Sequence, residues 1–277
     1  MKGYSENCPS CGQAFTGRFC VSCGEKKVSH HDFTIPHFVE ESIEGFTHFD
    51  NKFFRSAHLL MLRPGALTSN FAIGRRVRYM KPMQIFVICN ILYFFLVAGT
   101  NIFSVSLQNF LAVKGGFFDL NGYFLKKFGS NANLPYLSAL FSEKIASQSK
   151  AFIVLFIPVF ALACALFFFY KKRPFGLHLV FATHFFSFLM LFFTLFRFLI
   201  ELPRHYLLHI SDESFNTFAT AFNFVVLVTY FALAARRFYQ AKWVWSWSTG
   251  LLAGFLFVIM LQAYRVFLFY NILRTWH

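Results

Sequence analysis

From Pro82 to Ser104 the chain carries no charged side chain, and four cations, Arg75, Arg76, Arg78 and Lys81, stand just before that stretch. An apolar run of roughly 20 residues crosses ~30 Å of hydrocarbon as a helix, and Lys and Arg beside a span hold that end in the cytoplasm. The junction divides the chain into a polar arm that stays inside and a remainder that belongs to the bilayer. Further apolar runs fall at about 151–170, 177–200, 217–235 and 248–270, so with 84–104 the sequence predicts five spans.

The connections support that count. Lys171, Lys172 and Arg173 make one short basic loop, and Arg236, Arg237 and Lys242 make another. The segment 201–216 mixes Glu201, Arg204, Asp212 and Glu213, as an outer loop does. The expected topology has the N-terminus inside and, after five crossings, the C-terminus outside. Trp243, Trp245 and Trp247 lie where an interfacial belt begins. The largest outer piece, 105–150, is rich in Phe and is expected to form short interfacial helices. The N-terminus has no apolar core of a signal peptide, so the first span is expected to serve as its own insertion signal.

Charged residues make up 14% of the chain, against about 25% in soluble domains. The net charge of +14 sits mainly at the ends of apolar runs. Arg75, Arg76, Arg78, Lys81, Lys171, Lys172 and Arg173 therefore read as topology signals and anionic-lipid contacts, and nucleic acid is not expected as the main partner.

Residues 1–28 hold the strongest chemical signal. Cys8 and Cys11 form one C-x-x-C pair and Cys20 and Cys23 another, each followed directly by a glycine, Gly12 and Gly24. Zinc takes four thiolates in a tetrahedron, and a C-x-x-C turn aims two sulfurs at one ion. The pattern predicts a ribbon holding one structural zinc. Disulfides are disfavoured in a reducing compartment, and no strand–helix pattern supports a redox pair. So small a module draws most of its folding energy from the metal.

Residues 29–83 are read as a helical arm. Apolar residues at spacings of three and four from Thr34 to Phe54 predict an amphipathic helix, with Pro36 in its first turn. It is expected on the inner membrane surface or on the cytoplasmic ends of the spans; an ordinary helix–helix contact fits the pattern as well. His30, His31, His37 and His48 read as linker or surface residues. Short helices are predicted at Ser56–Leu62 and Ala66–Ile73, separated by Arg63-Pro64-Gly65.

Residues 84–277 are the membrane bundle. Ionisable groups at membrane depth are candidates for function. His178 and Arg197 stand near the ends of the third span and are expected to snorkel. His184 lies deeper, where it could bond Asn90, Asn101, Asn223 or Gln262, either as a structural contact or in a proton or substrate role. Gly250 with Gly254, and Ala161 with Ala165, are expected to pack helices within the chain, and Pro158 to kink the second span. No acidic residue lies deep in a span, and the phosphate-loop, nucleophile-elbow and H-E-x-x-H motifs are absent.

The order of parts resembles an uncharacterised bacterial membrane-protein family, a domain of unknown function common in Bacteroidetes. The residues that carry the resemblance are Cys8-Pro-Ser-Cys11-Gly12, Phe19-Cys20-Val-Ser-Cys23-Gly24, Leu62-Arg63-Pro64-Gly65, Gly74-Arg75-Arg76-Val-Arg78-Tyr79-Met-Lys81-Pro82 and the run from His178 to Ser187. The resemblance implies this architecture, a bacterial inner-membrane location and zinc, and no activity. The expectation is an all-α polytopic membrane protein without enzymatic activity, whose ribbon recruits or senses a cytoplasmic partner. The alternative is a small-solute or ion path around His184. The sequence leaves open the oligomeric state, and whether the ribbon meets protein, nucleic acid or the bundle itself.

Overall fold

The computed structural model describes residues 6–36, 38, 51–97, 105–112, 119–129, 133–149, 153–204 and 212–275. They form helices, apart from a two-stranded hairpin near the N-terminus. Strands β1 (Glu6–Asn7) and β2 (Ala14–Phe15) pair antiparallel, with Glu6 opposite Phe15. A 3-10 turn follows at His30–Phe33. Helical backbone begins at Ile35 and Pro36, which puts the proline in a first turn. Most of the helix expected over Thr34–Phe54, with His37 and His48, lies outside the described residues, as does Asn101.

Helices α1 (Lys52–Leu62) and α2 (Ala66–Ala72) are the two short arm helices. Arg63-Pro64-Gly65 separates them because Gly65 takes the left-handed conformation, at φ 76°. Helix α3 (Pro82–Leu96) is apolar and 15 residues long. Then come α4 (Leu107–Ala112), α5 (Leu120–Phe128), α6 (Leu134–Gln148) and α7 (Phe156–Phe167). Pro158 is the third residue of α7, in its first turn, where its missing N–H breaks no bond within that helix. Helix α8 (Phe175–Phe196) runs into a π-helical turn at Arg197–Glu201, followed by α9 (Asp212–Tyr239) and α10 (Trp243–Arg274).

Among the described residues three helices are long and apolar enough to cross a membrane: Phe175–Glu201, Phe215–Tyr239 and Trp243–Arg274. Leu134–Gln148 and Ile153–Phe167, taken as one broken span, make a fourth. The fold is that of an all-α membrane protein.

The chain divides into two compact units, one of residues 1–93 with 157–254 and one of 94–156 with 255–277. In the first, α8 is the central helix. Every residue from Gly176 to Met190 is buried, as a helix apolar on all sides requires. Phe185 stacks on Phe160 at 4.9 Å and Phe188 on Tyr230 at 3.4 Å. The hydroxyls of Thr183, Ser187 and Thr194 donate to carbonyls four residues back, so they enter the core satisfied. Arg197 pairs with Glu201 at 2.7 Å. His178 does not snorkel: it is buried, and its Nδ1 shares a 2.8 Å hydrogen bond with the Tyr239 hydroxyl. The His30–Phe33 turn at the start of the arm covers that end of α8, where a Cβ on Gly176 would strike the Phe33 carbonyl.

Gly250 and Gly254 pack α10 on α9 within the chain. A Cβ at Gly250 would lie 3.0 Å from the Val228 carbonyl, and one at Gly254 2.9 Å from the Phe224 ring. The basic loops cap helices. Lys171 donates to the Gln240 carbonyl and Arg173 to that of Phe238, at the C-terminus of α9. Trp245 Nε1 donates to the Phe167 carbonyl at the end of α7.

In the second unit, Phe110, Phe141 and Phe269 form an aromatic core, with centroids 5.1–6.1 Å apart. Asp119 and Asn133 cap α5 and α6 by accepting from Gly122 and Tyr136 N–H groups. Tyr264 donates to the Ser149 carbonyl and Asn271 to the Gln148 side chain, each at 2.9 Å.

Candidate metal centre and the joint behind it

The two C-x-x-C turns fold alike. Gly12 N–H donates to Cys8 O at 2.8 Å and Gly24 N–H to Cys20 O at 2.9 Å. Both glycines have positive φ, 81° and 72°, which closes each turn without crowding. The turns face one another across the β1–β2 hairpin and a bridge between Phe19 and Lys26. The four Sγ atoms lie within 4.8 Å of one another. Cys8 and Cys23 sulfurs are 3.5 Å apart and those of Cys11 and Cys20 3.6 Å. A disulfide needs about 2.05 Å. Four sulfurs about 2.3 Å from a central ion stand about 3.8 Å apart, so the cluster has the dimensions of a tetrahedral metal site. Phe15 packs under Cys8 and Cys20 as its small core.

Ionisation is uneven across the cluster. Burial pushes the Cys8 thiol up, but N–H groups of Cys11 and Ser10 and the neighbouring thiols outweigh it and hold Cys8 at about 7. The Glu25 N–H lowers Cys23, yet burial and the other three thiols drive it up to about 12. Four thiols this close ionise together only around a cation.

The larger finding lies behind the cysteines. Glu25, next after the second knuckle, is 1% exposed and accepts from three donors. These are Ser10 Oγ at 2.5 Å, Arg76 N–H at 3.0 Å and Val77 N–H at 3.1 Å. Arg75 Nε donates to the Pro9 carbonyl at 2.5 Å, inside the first knuckle. Asp32 takes Lys26 at 2.9 Å, the Ser29 N–H at 3.1 Å and Arg76 at 3.4 Å. The Arg76 guanidinium lies over Phe71 at 4.2 Å and Phe33 at 5.4 Å. Gly74, at φ 89°, leaves no room for a Cβ beside Val28. The ribbon is thus fastened to the segment that precedes α3.

This joint corrects one expectation. Arg76, read as a lipid contact, has a side chain only 14% exposed and finds its counter-charge in Asp32. Arg75 is likewise engaged by the ribbon, and Arg78 offers its carbonyl to Arg55 at 3.5 Å. Lys81 N–H donates to the Gln84 side chain at 3.2 Å. Glu25 and Asp32 carried no signal in the sequence beyond a single acid in a short loop. The two knuckles also differ. The first is held at Pro9 and Ser10, whereas Val21 in the second is 88% exposed and Phe19 before it 56%.

The arm reaches the centre of the first unit. Thr68 of α2 shares a 2.9 Å hydrogen bond with His184 Nδ1. Tyr230 donates to Leu60 O and Arg237 to Pro64 O, each at 2.9 Å. His184 therefore bonds the arm and not Asn90, Asn223 or Gln262. Asn90 is half-buried, Asn223 keeps a buried Oδ1 without a partner among the described residues, and Gln262 is exposed and accepts from Arg265 at 3.4 Å.

Residues 50–94 match the model of a family described as "Protein of unknown function (DUF3667)". The matched stretch covers α1, α2, the docked basic segment and α3 to Phe94, and leaves out the cysteine cluster. No curated protein and no solved structure matches the chain.

Proposed function

We propose that this is a multi-pass protein of a bacterial inner membrane, without enzymatic activity of its own. One structural zinc folds its ribbon, and the ribbon offers its second knuckle to a cytoplasmic protein. The observation that carries the reading is the asymmetry of the ribbon. One knuckle is docked on the chain, and the other presents Phe19 and Val21 to solvent. Four thiolates complete a tetrahedron, and a closed site is structural in character. Five spans with the N-terminus inside fit the basic loops, since Lys171–Arg173 and the Phe238–Gln240 turn meet at the end where the ribbon docks.

The test is crosslinked affinity capture from membranes, with zinc measured on the same samples. Three proteins are compared: the intact chain, Cys20→Ser with Cys23→Ser, and Val21→Asp. The intact chain is expected to hold about one zinc and a specific protein. The double variant loses both, and Val21→Asp keeps zinc and loses the protein. Retention of the same protein by all three sinks the reading.

The alternative, a solute or ion path around His184, Asn90, Asn223 and Gln262, draws support from one observation: His184 Nε2 has no partner among the described residues. It expects flux through liposomes that His184→Ala alters. Folded protein that passes no solute in that assay counts against it.

A further inference from the structure

His184 is buried in the first unit, 3% exposed and nine residues into α8. At about 1.5 Å per residue that is roughly 13 Å from the start of the helix. One ring nitrogen is used, since Nδ1 bonds Thr68. The other is not: Nε2 is buried and has no partner among the described residues. A cavity of about 10 Å³ lies at the ring, where α1 and α2 meet α8 and α9. His184, Thr68 and Tyr230 are the lining residues with polar side chains, and Phe181, Phe185 and Ala234 are among the apolar ones.

We propose that this cavity is a binding site for a single water molecule, held by His184 Nε2 and bridging the arm to the helices beneath it. Three considerations lead there. The volume is that of about one water. The unpaired atom needs a partner in either tautomer. If Thr68 donates to Nδ1, Nε2 carries a proton and needs an acceptor. If Nδ1 donates to Thr68, Nε2 is a lone pair and needs a donor. Water serves both. A buried water also needs two or more polar neighbours, and the Tyr230 hydroxyl, which donates to Leu60 O, keeps a lone pair free to accept. The site is roofed by the arm, because Gly65 allows α2 to approach the Ala234 backbone so closely that a Cβ there would lie 2.5 Å from its carbonyl. The inference is independent of what the ribbon binds.

Synchrotron radiolytic labelling of the full chain in lipid nanodiscs tests it. Hydroxyl radicals formed from a bound water mark buried side chains next to it, and mass spectrometry reads the positions. Phe185 and Tyr230 are expected to be labelled several-fold above Phe231, which is also buried and does not line the cavity. In folded His184→Leu the labelling falls to the Phe231 level. Should that variant not fold, Ala234→Val fills the cavity from its other wall with the ring in place, and the same loss is expected. Equal labelling of Phe185, Tyr230 and Phe231 in the native chain overturns the proposal. Labelling that persists in folded His184→Leu overturns it too, since the water would then not depend on the imidazole.

Discussion

Glu25 joins the cysteine cluster to the segment before α3 through one carboxylate. It accepts two backbone N–H groups from the far side of the joint, and hydrogen bonds to a charged group contribute about 1.5–3 kcal/mol each. Glu25→Gln keeps the shape and removes the charge. It is expected to cost roughly 2 kcal/mol of docking while the metal content stays unchanged. Faster tryptic cleavage after Lys27 and Arg75, with metal retained, is the reading; unchanged cleavage refutes it. Asp32 adds a pH dependence whose sign is fixed. Burial raises its carboxyl, but Lys26, the Ser29 N–H and Arg76 outweigh that and hold it below the usual carboxylate range. A folded value below the unfolded one means that the stability it contributes is complete above the unfolded value and is lost as pH falls through the folded value. The difference in thermal stability between native protein and Asp32→Asn is therefore expected to be constant from pH 7 to about 4 and to shrink below that. A difference that grows in acid contradicts the assignment.

The hairpin of α1 and α2 shows what an element's pattern tells and what it withholds. The break at Arg63-Pro64-Gly65 was legible, because proline and glycine together end helices for local reasons. Both helices were legible too, as were the apolar runs that became α7 to α10 and the spacing of the four cysteines. The buried face of the hairpin, Phe53, Ser56, Leu60, Leu67, Thr68 and Phe71, was legible only as a face. Periodicity cannot say whether lipid, a partner or α8 covers it. For the same reason the depth of His178 in its span suggested snorkelling, although its neighbour Tyr239 lies 61 residues away in sequence. Glycines are where the packing becomes testable. Gly65→Ala meets a strained φ and the Ala234 backbone at once, so about 1–2 kcal/mol of conformational cost is joined by about 1–3 kcal/mol of overpacking. Gly129, at φ 79° and ψ 171°, has open space around its Cβ position, so Gly129→Ala bears only a conformational cost, about 1–3 kcal/mol in that glycine-only region. Melting of the two purified variants separates the contributions. Equal losses would mean that the hairpin yields at no cost and does not pack as described.

At the scale of the whole molecule the contacts fall into two sets that the metal should divide. The ribbon holds the basic segment through Glu25, Pro9 and Asp32. The hairpin holds α8 and α9 through Thr68–His184, Tyr230–Leu60 and Arg237–Pro64, none of which involves the ribbon. A ribbon with three buried residues as its core would owe most of its folding to an ion held by the four cysteines. Removing the metal should therefore release the first set and spare the second. Hydrogen exchange on the full chain in nanodiscs, with and without a thiol-compatible chelator, reads both sets at once. The Arg76 and Val77 amides, bonded to Glu25, are expected to lose protection on chelation. Protection in α8 and α9, and the Met80 amide that donates to the buried Ser56 hydroxyl, are expected to hold. Loss of protection through α8 would make the metal a stabiliser of the membrane part. Unchanged Arg76 and Val77 would mean that the ribbon keeps its fold without an ion. The expected split makes the joint separable, with metal occupancy setting whether the segment before α3 is bound by the ribbon or free.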